Sequence, residues 1–310
     1  MRRILFVKTS SLGDVIHHCP AVSDAARRLP AAEIDWVVEE PFAEVAALHR
    51  SVRRVIPVAL RRWRQAPWSP AVWAEIAAFK RSVSLERYDA VIDSQALLKS
   101  ALISIFAAGT RHGMDRASAR EPLAARFYNV THPVPKGLHA VERNRRLTAS
   151  ALGYALDSSI DYGLHMGNSS LKSDAAPYTV FLTMTSRDDK LWPEGRWIEL
   201  GRALGSRVIL PWGSETEKAR AEAIASKIGD ATVPSRMSFG ELGKLFQKAK
   251  TVIGLDTGLT HLAAASGART IGIYCGSDPA LTGLYGFPKA VNVGDAGRPP
   301  AAGEVLKALA

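Results

Sequence analysis

The sequence predicts an α/β protein with two doubly wound parallel sheets, and three observations lead to that prediction. The chain has 310 residues, about twice the ~150 residues of a common single domain. Short apolar strands alternate with helices, as in parallel sheets covered on both faces. The alternation stops in a Ser-, Asp- and Gly-rich stretch and then restarts. We therefore expect Rossmann-like domains at 1–155 and 178–310, joined by a linker at 156–177.

The first half is predicted to hold four short strands, each followed by a helix. The strands are expected at 4–7, 34–38, 54–59 and 89–93. The helices are expected at 14–29, from Pro41 to near His49, at 69–85 and at 97–108.

The second half repeats this pattern. Strands are predicted at 178–182, 207–211, 251–255 and 270–275, and helices from Pro193 onward, at 216–228, 239–249 and 258–266. We consider the last helix of the chain a candidate for packing against the first domain instead of the second. Ligands of doubly wound sheets bind beyond the carboxyl ends of the strands. We therefore expect the ligand site in a cleft between the two domains.

Composition narrows the class of protein. Apolar residues make up 47% and charged residues 23%, as in ordinary globular proteins. No apolar run reaches the ~18–20 residues that a membrane span needs. Only four apolar residues, 4–7, precede Lys8, whereas a secretory signal needs roughly 7–15. We therefore expect a cytosolic chain, with Cys19 and Cys275 as buried, reduced thiols.

The positive charge is concentrated in the first half. Residues 1–150 contain 23 Lys and Arg against 14 Asp and Glu, and residues 151–310 contain 17 against 16. Arginines cluster at 53–64, 111–126 and 143–146. Guanidinium groups suit carboxylates and phosphates, so we favour a specific acidic ligand. A nucleic acid, an anionic membrane surface or a merely solvated basic face remain alternatives.

Several cofactor motifs are missing from the sequence. No G-x-G-x-x-G follows the first strand and no G-x-x-x-x-G-K-[ST] occurs, so a dinucleotide cofactor and a P-loop NTPase are disfavoured. There is no Asp-x-Asp pair and histidines are scattered, so we expect no bound metal and no cofactor.

The loop after the first strand carries the first candidate site residue. Asp14 follows Gly13 at the end of this loop, where ligands of such sheets bind. An aspartate that only caps its helix, worth ~1 kcal/mol, is one interpretation. The other is a general base that accepts a proton from a hydroxyl nucleophile.

Three loops of the second half suggest an anion site. Residues 183–190 supply hydroxyls and Lys190 between a strand and a helix, which is a weak phosphate-binding pattern. The turn Asp256-Thr257-Gly258 precedes a helix whose amino end favours a diphosphate, and His261 lies one turn further. Glu217, near a helix start, suits either a ribose diol or the helix dipole.

Together, seven segments closely resemble the bacterial lipopolysaccharide heptosyltransferase family. They are residues 1–15, 35–40, 55–64, 112–115, 119–123, 187–190 and 256–261. The resemblance spans nearly the whole chain and implies a GT-B glycosyltransferase. It further implies transfer of L-glycero-D-manno-heptose from ADP-heptose to the first Kdo of Kdo-lipid A, with inversion, release of ADP and no metal. Such an enzyme works at the cytoplasmic face of the inner membrane.

The resemblance also assigns roles to residues. It implies that Asp14 is the general base, and that the acceptor meets Arg61, Arg62, Arg64 and Arg120. The donor residues it implies are Thr185, Ser186, Lys190, Glu217, Met237, Asp256, Thr257, Gly258 and His261. Two positions depart from the family pattern. Gln65 stands where a Lys is expected, which weakens the acceptor site, and Ser186 replaces a Thr while keeping the hydroxyl.

Three other functions remain open from the sequence. One is a related heptosyltransferase that extends an already heptosylated core. Another is a nucleic-acid-binding protein, suggested by the pI of about 9.7 but lacking a recognised motif. The last is a non-catalytic membrane-surface module that uses Arg61–Trp68, with Trp63, Trp68 and Trp73 among the arginines.

Overall fold

A computed structural model describes residues 2–167 and 177–309, which form two compact units. The units are Met1–Leu164 and His165–Ala310. The division falls inside the predicted linker, whose first part packs on the first unit. There Asp157 forms ion pairs with Arg27 and Arg28, and Leu164 pairs with His49 in an isolated β-bridge.

The first unit is built around a six-stranded parallel sheet of order β3-β2-β1-β4-β5-β6. Its elements are β1 Arg3–Val7, α1 Leu12–Arg28, β2 Glu33–Glu39, α2 Ala43–Ala47, β3 Arg54–Val58, α3 Leu60–Trp63, α4 Pro70–Ser84, β4 Arg87–Asp93, α5 Leu98–Ser104, β5 Ala108–Met114, β6 Val130–His132 and α6 Ala140–Leu152. Strand β1 is central, and its Ile4 lies between Ile34 and Ala90. The strands before β4 are added on one side of β1, and those from β4 onward on the other side. The carboxyl ends of β1 and β4 therefore border the crevice where such sheets bind ligands.

The first unit differs from its prediction in four places, and one of them is the unpredicted short helix α3. Helix α5 ends at Ser104 instead of Ala108, and Ala108 begins β5, which contains Gly and polar residues and is partly exposed. Strand β6 and helix α6 were not predicted, because β6 has only three residues and α6 is rich in charged and polar side chains. Helix α1 begins at Leu12, two residues before the predicted start.

The second unit has a sheet of order β12-β11-β10-β7-β8-β9, the same winding as the first. Its elements are β7 Tyr178–Leu182, α7 Glu194–Leu204, β8 Arg207–Ile209, α8 Glu215–Ala225, β9 Ala231–Thr232, α9 Phe239–Lys248, β10 Thr251–Leu255, α10 Gly258–Ala265, β11 Thr270–Tyr274, α11 Pro279–Thr282, β12 Ala290–Gly294 and α12 Ala302–Lys307. Two doubly wound α/β units therefore confirm the predicted fold class, although the edge strands β9 and β12 and the short helix α11 were not predicted.

Aromatic residues fill the core of the second unit. Trp192 and Trp197 are fully buried and meet edge to face, with ring centroids 5.0 Å apart. The Trp192 indole N–H donates to Pro300 O at 2.8 Å, just before α12. Helix α12 packs on α7 and adds Ala302 and Val305 to this core. In the described residues of both units, no helix combines the length and apolar character needed to cross a membrane.

Candidate functional site

The candidate base lies in the first turn of α1, just beyond the carboxyl end of β1. Ser11 caps this helix, and the Asp14 carboxylate accepts the Ser11 backbone N–H at 3.1 Å. Asp14 is therefore not the N-cap residue, but as the third helical residue it completes a capping box, so it stabilises the helix start whether or not it is also the base. Such an acidic group in a first turn is favoured by the helix dipole.

Two cations flank this carboxylate. Lys8 Nζ lies 3.9 Å from Asp14 Oδ1, and a guanidinium nitrogen of Arg120 lies 3.4 Å from Oδ2. The Asp14 side chain is 24% exposed, so solvent and a substrate can reach it. The two cations therefore hold the carboxylate by ion pairs from two sides, and a carboxylate is the form of the side chain that can accept a proton.

The loop that carries the base is fixed to the end of β4. Gln95 Oε1 accepts the backbone N–H groups of Thr9 and Ser10, both at 3.2 Å. Gln95 in turn donates its backbone N–H to Asp93 Oδ1 at 2.9 Å. Burial raises the pKa of Asp93 to about 6, although Tyr128 OH donates to its other oxygen at 2.8 Å. These contacts define the position of the loop before any substrate binds.

The predicted acceptor arginines differ in their surroundings. Arg62 is held by Glu40 at 3.1 Å and Glu75 at 2.8 Å. The Arg61 guanidinium lies 5.4 Å from the Phe42 ring centre. Arg61 and Arg64 are exposed and form no ion pair within the described part of the chain. Arg61, Arg64 and Arg120 are therefore more accessible to an anion than Arg62, and Gln65 is exposed on the same segment.

Other arginines of the three basic clusters form ion pairs that stabilise the fold. Arg53 and Arg54 both bind the fully buried Asp35 carboxylate, at 2.8 and 2.9 Å. Arg145 is 2% exposed and binds Asp24 at 2.7 Å. Because these guanidinium groups neutralise buried carboxylates, the charge excess of the first half overstates the charge that a ligand can meet.

The second unit brings four of the predicted donor residues together after β7 and β10. Lys190 Nζ lies 2.5 Å from Asp256 Oδ2, and His261 Nε2 lies 3.6 Å from Oδ1. Thr185 Oγ1 donates to the Asp256 backbone O at 3.1 Å. Ser277, which the sequence did not indicate, donates to Asp256 Oδ2 at 2.5 Å. Its place at the end of β11, on the same sheet edge, was the available signal.

Asp256 is the centre of this cluster. Burial alone would raise the pKa of Asp256, but His261, Lys190 and Ser277 outweigh it and hold the pKa well below the usual range. The carboxylate is therefore ionised and holds the Lys190 side chain at the strand end by an ion pair. Gly276 permits the close packing, since a Cβ there would lie 2.6 Å from Asp189 O, beside Lys190.

Thr257 and Gly258 complete the cluster as the start of α10. Thr257 is the N-cap residue, in an extended conformation, and makes no side-chain cap hydrogen bond. The first backbone N–H groups of a helix have no acceptor within it, so this end of α10 suits an anion. Ser186 is exposed on the loop between Thr185 and Lys190.

Glu217 and Met237 lie apart from the Asp256 cluster, after β8 and β9. Glu217 Oε2 accepts the Gly213 N–H at 2.7 Å and so stabilises the loop that follows β8. Met237 is half-buried in the segment between β9 and α9. Both follow strands on one side of β7, which is the side of the sheet opposite β10. Among the described residues no group of three or more His, Cys, Asp or Glu is arranged to hold a metal ion.

Comparisons with known proteins define the class. The sequence profile of glycosyltransferase family 9 (heptosyltransferase) matches residues 76–303. The chain is 47% identical to lipopolysaccharide heptosyltransferase 1 of Salmonella typhimurium over 291 residues, which cover 92% of each protein. The chain belongs to this family of glycosyltransferases.

Solved structures agree with this assignment. Two structures of E. coli heptosyltransferase WaaC, with ADP and with ADP-2-deoxy-2-fluoro heptose, match with TM-scores of 0.91 and 0.89, at 43% identity and 98% coverage of each chain. The GT-B class is therefore confirmed. E. coli heptosyltransferase II matches with a TM-score of 0.79 at 21% identity, over 100% of this chain and 97% of that one, and shares the fold. The closer similarity to type 1 enzymes favours that type over the alternative that extends a heptosylated core.

Proposed function

We propose that this enzyme transfers L-glycero-D-manno-heptose from ADP-heptose to the first Kdo of Kdo-lipid A, with inversion at the anomeric carbon. The observation that carries the proposal is the partly exposed Asp14 carboxylate at the end of β1, flanked by cations. The similarity to type 1 heptosyltransferases supports the choice of substrates. The reaction forms a new glycosidic bond to the acceptor and releases ADP as the leaving group.

Asp14 acts as the general base in this proposal. It removes the proton of the acceptor hydroxyl as the hydroxyl oxygen attacks the anomeric carbon on the face opposite ADP. The bond from that carbon to the diphosphate breaks through an oxocarbenium-like transition state. Arg61, Arg64 and Arg120 attract the carboxylates and phosphates of the acceptor, because they are exposed cations on the same unit.

The cluster around Asp256 holds the leaving group. Lys190 and the first backbone amides of α10 stabilise the negative charge that grows on the diphosphate. Asp256 takes no proton, since its partners keep it ionised. It orients Lys190 and His261 instead. Thr185 and Ser186 supply hydroxyls to the same diphosphate, Glu217 contacts the ribose and Met237 the adenine. This protein-only charge balance predicts activity without a divalent metal.

The test of this function is ADP release from ADP-heptose in three reactions: without acceptor, with Kdo-lipid A, and with heptosylated Kdo-lipid A. We expect release that depends on Kdo-lipid A, together with a product heavier by one heptose. Added EDTA should leave the rate unchanged. Release only with the heptosylated acceptor would contradict the proposal and favour the alternative type.

We further infer that the enzyme binds the cytoplasmic face of the inner membrane through its first unit. Trp68 is 90% exposed and Trp73 is 57% exposed, near the exposed Arg61 and Arg64. Exposed tryptophans next to cations suit the interface of an anionic bilayer. Trp63, which the sequence places among the same arginines, does not contribute, because it is buried and its indole N–H donates to Glu75 at 2.7 Å.

Vesicle flotation tests the membrane contact. We expect binding to vesicles of phosphatidylethanolamine and phosphatidylglycerol but not of phosphatidylcholine, and at least about five-fold weaker binding after joint W68A and W73A substitution. L85A is the matched control, since Leu85 is 70% exposed just past the far end of α4, about 20 Å along the helix. Equal binding of both variants to anionic vesicles would contradict the inference.

A further inference from the structure

Lys8 is a buried lysine beside the candidate base, and the reaction as described above does not use it. Its side chain is 5% exposed. Nζ donates to Ser94 O at 3.1 Å and lies 3.9 Å from Asp14 Oδ1. Burying an ammonium group is costly unless an opposite charge and hydrogen bonds compensate for it. The nearby carboxylate that reaches solvent, Asp14, provides part of this compensation.

The Lys8 main chain fixes the position of that ammonium group. Its backbone N–H donates to Val37 O at 3.2 Å, on β2. Its carbonyl oxygen accepts the Trp36 indole N–H at 3.1 Å. The residue is therefore held by β2 on one side and by the β4 loop, through Ser94, on the other. A charge in such a place is preorganised before any substrate arrives.

The two oxygens of Asp14 have different neighbours. Oδ1 faces Lys8, whereas Oδ2 accepts the Ser11 N–H and lies near the half-exposed Arg120. Of the two cations, Lys8 is the one that is buried and immobilised. Arg120 is 52% exposed and is expected to turn toward an anionic acceptor. Lys8 then remains as the cation that orients the carboxylate.

We propose that Lys8 is a positioning residue for heptosyl transfer, whose buried ammonium holds the Asp14 carboxylate in the orientation from which it takes the acceptor proton. The inference rests on the proposed function, because it presumes that Asp14 is the base. It assigns no contact between Lys8 and a substrate. Its consequences are a loss of turnover without loss of nucleotide binding, and a characteristic pH dependence.

The first test compares K8M with K8R and with the matched control K136M, which removes an exposed lysine of the same unit. We expect K8M to lower kcat by roughly 10- to 100-fold, as misplaced catalytic groups do. Its Kd for ADP should stay within about two-fold of the wild type. K8R should recover part of the rate because it keeps the charge, and K136M should match the wild type.

The second test is the alkaline side of the pH–rate profile. Burial lowers the pKa of Lys8, opposed by Asp14 and Asp93 and reinforced by Arg120 and Arg143. The ammonium is therefore lost at a lower pH than for an ordinary lysine, and activity should fall with it. In K8R the decline should move to higher pH, since an arginine stays protonated.

The outcomes separate this inference from the proposed function. Wild-type kcat in a folded K8M, with D14N inactive, would overturn the role of Lys8 and leave the function intact. An active D14N would overturn the function itself. If K8M does not fold, K8R decides, because an alkaline decline identical to that of the wild type contradicts the proposal.

Discussion

Each unit places an aspartate just after a central strand, yet the two aspartates have different surroundings. Asp14, after β1, has a side chain that is 24% exposed and faces two cations at 3.4 and 3.9 Å. Asp256, after β10, is 7% exposed and has Lys190 and Ser277 at 2.5 Å. A carboxylate open to solvent is suited to exchange a proton with a substrate. A carboxylate surrounded by protein partners is suited to hold those partners in place.

The largest expected effect concerns Asp14, the solvent-exposed aspartate of the first unit. D14N keeps the shape of the side chain and removes its ability to accept a proton. We expect kcat to fall by about 10²–10⁴-fold, the usual contribution of a general base, as measured by ADP release under saturating substrates. D89N is the control, since Asp89 is an exposed carboxylate on β4 of the same unit. Comparable losses in both variants would point to a general charge effect instead of a specific base.

Removal of Lys190 tests the role of the Asp256 cluster in the second unit. Lys190 is the ammonium group of the Asp256 cluster, and its loss should leave the departing diphosphate poorly stabilised. We expect K190M to lower kcat/KM for ADP-heptose by about 10²-fold, in line with loss of one stabilising group in other enzymes. The acceptor KM should change little. A larger loss for the acceptor than for the donor would contradict the assigned division.

Substitution of Asp256 should affect stability as well as activity. D256N leaves Lys190 without its counter-charge, so the free energy of unfolding should fall by about 3 kcal/mol near pH 7. The folded state depresses the pKa of Asp256 below the usual aspartate value of about 4. The stabilisation that the ionised carboxylate provides is therefore complete above about pH 4 and is lost as the pH falls below it. Urea unfolding at several pH values measures this, and a wild-type advantage that persists undiminished well below pH 3 would count against it.

The smallest expected effects distinguish the arginines. Arg120 is exposed and bound only to Asp14 among the described acidic groups, whereas Arg62 is held by two glutamates. We expect R120A to raise the acceptor KM by about ten-fold, with less effect in added salt. R62A should change that KM by less than about three-fold. Steady-state kinetics at two salt concentrations compare the variants, and equal effects would remove the distinction.

The sequence was sufficient for the fold class and for the strand-end loops that carry the candidate site residues, because both depend on local patterns. Apolar strands such as β1 and β10 and the turn at Asp256 are visible in a short window. The strands β6 and β9 were missed, since two or three residues carry no periodicity and owe their conformation to the neighbouring strand.

The contacts within the sites were less predictable, because they join distant parts of the chain. Lys190 and Ser277 meet Asp256 across 66 and 21 residues. Arg62 and Arg145 both contribute to the basic clusters of the sequence, but in the folded chain their guanidinium groups form ion pairs with Glu40 and Asp24. The role of Lys8 likewise depends on Ser94, which lies 86 residues away. Composition gives the sign of a charge, and only the fold shows whether that charge is free.

The central claim is that the first unit supplies the base while the second holds the nucleotide, and calorimetric titration of ADP tests it most directly. The measurement compares wild type, D14N and K190M. We predict that D14N binds ADP within about two-fold of the wild type, and that K190M binds it at least about ten-fold more weakly. Loss of ADP affinity in D14N, or wild-type affinity in K190M, would contradict the account.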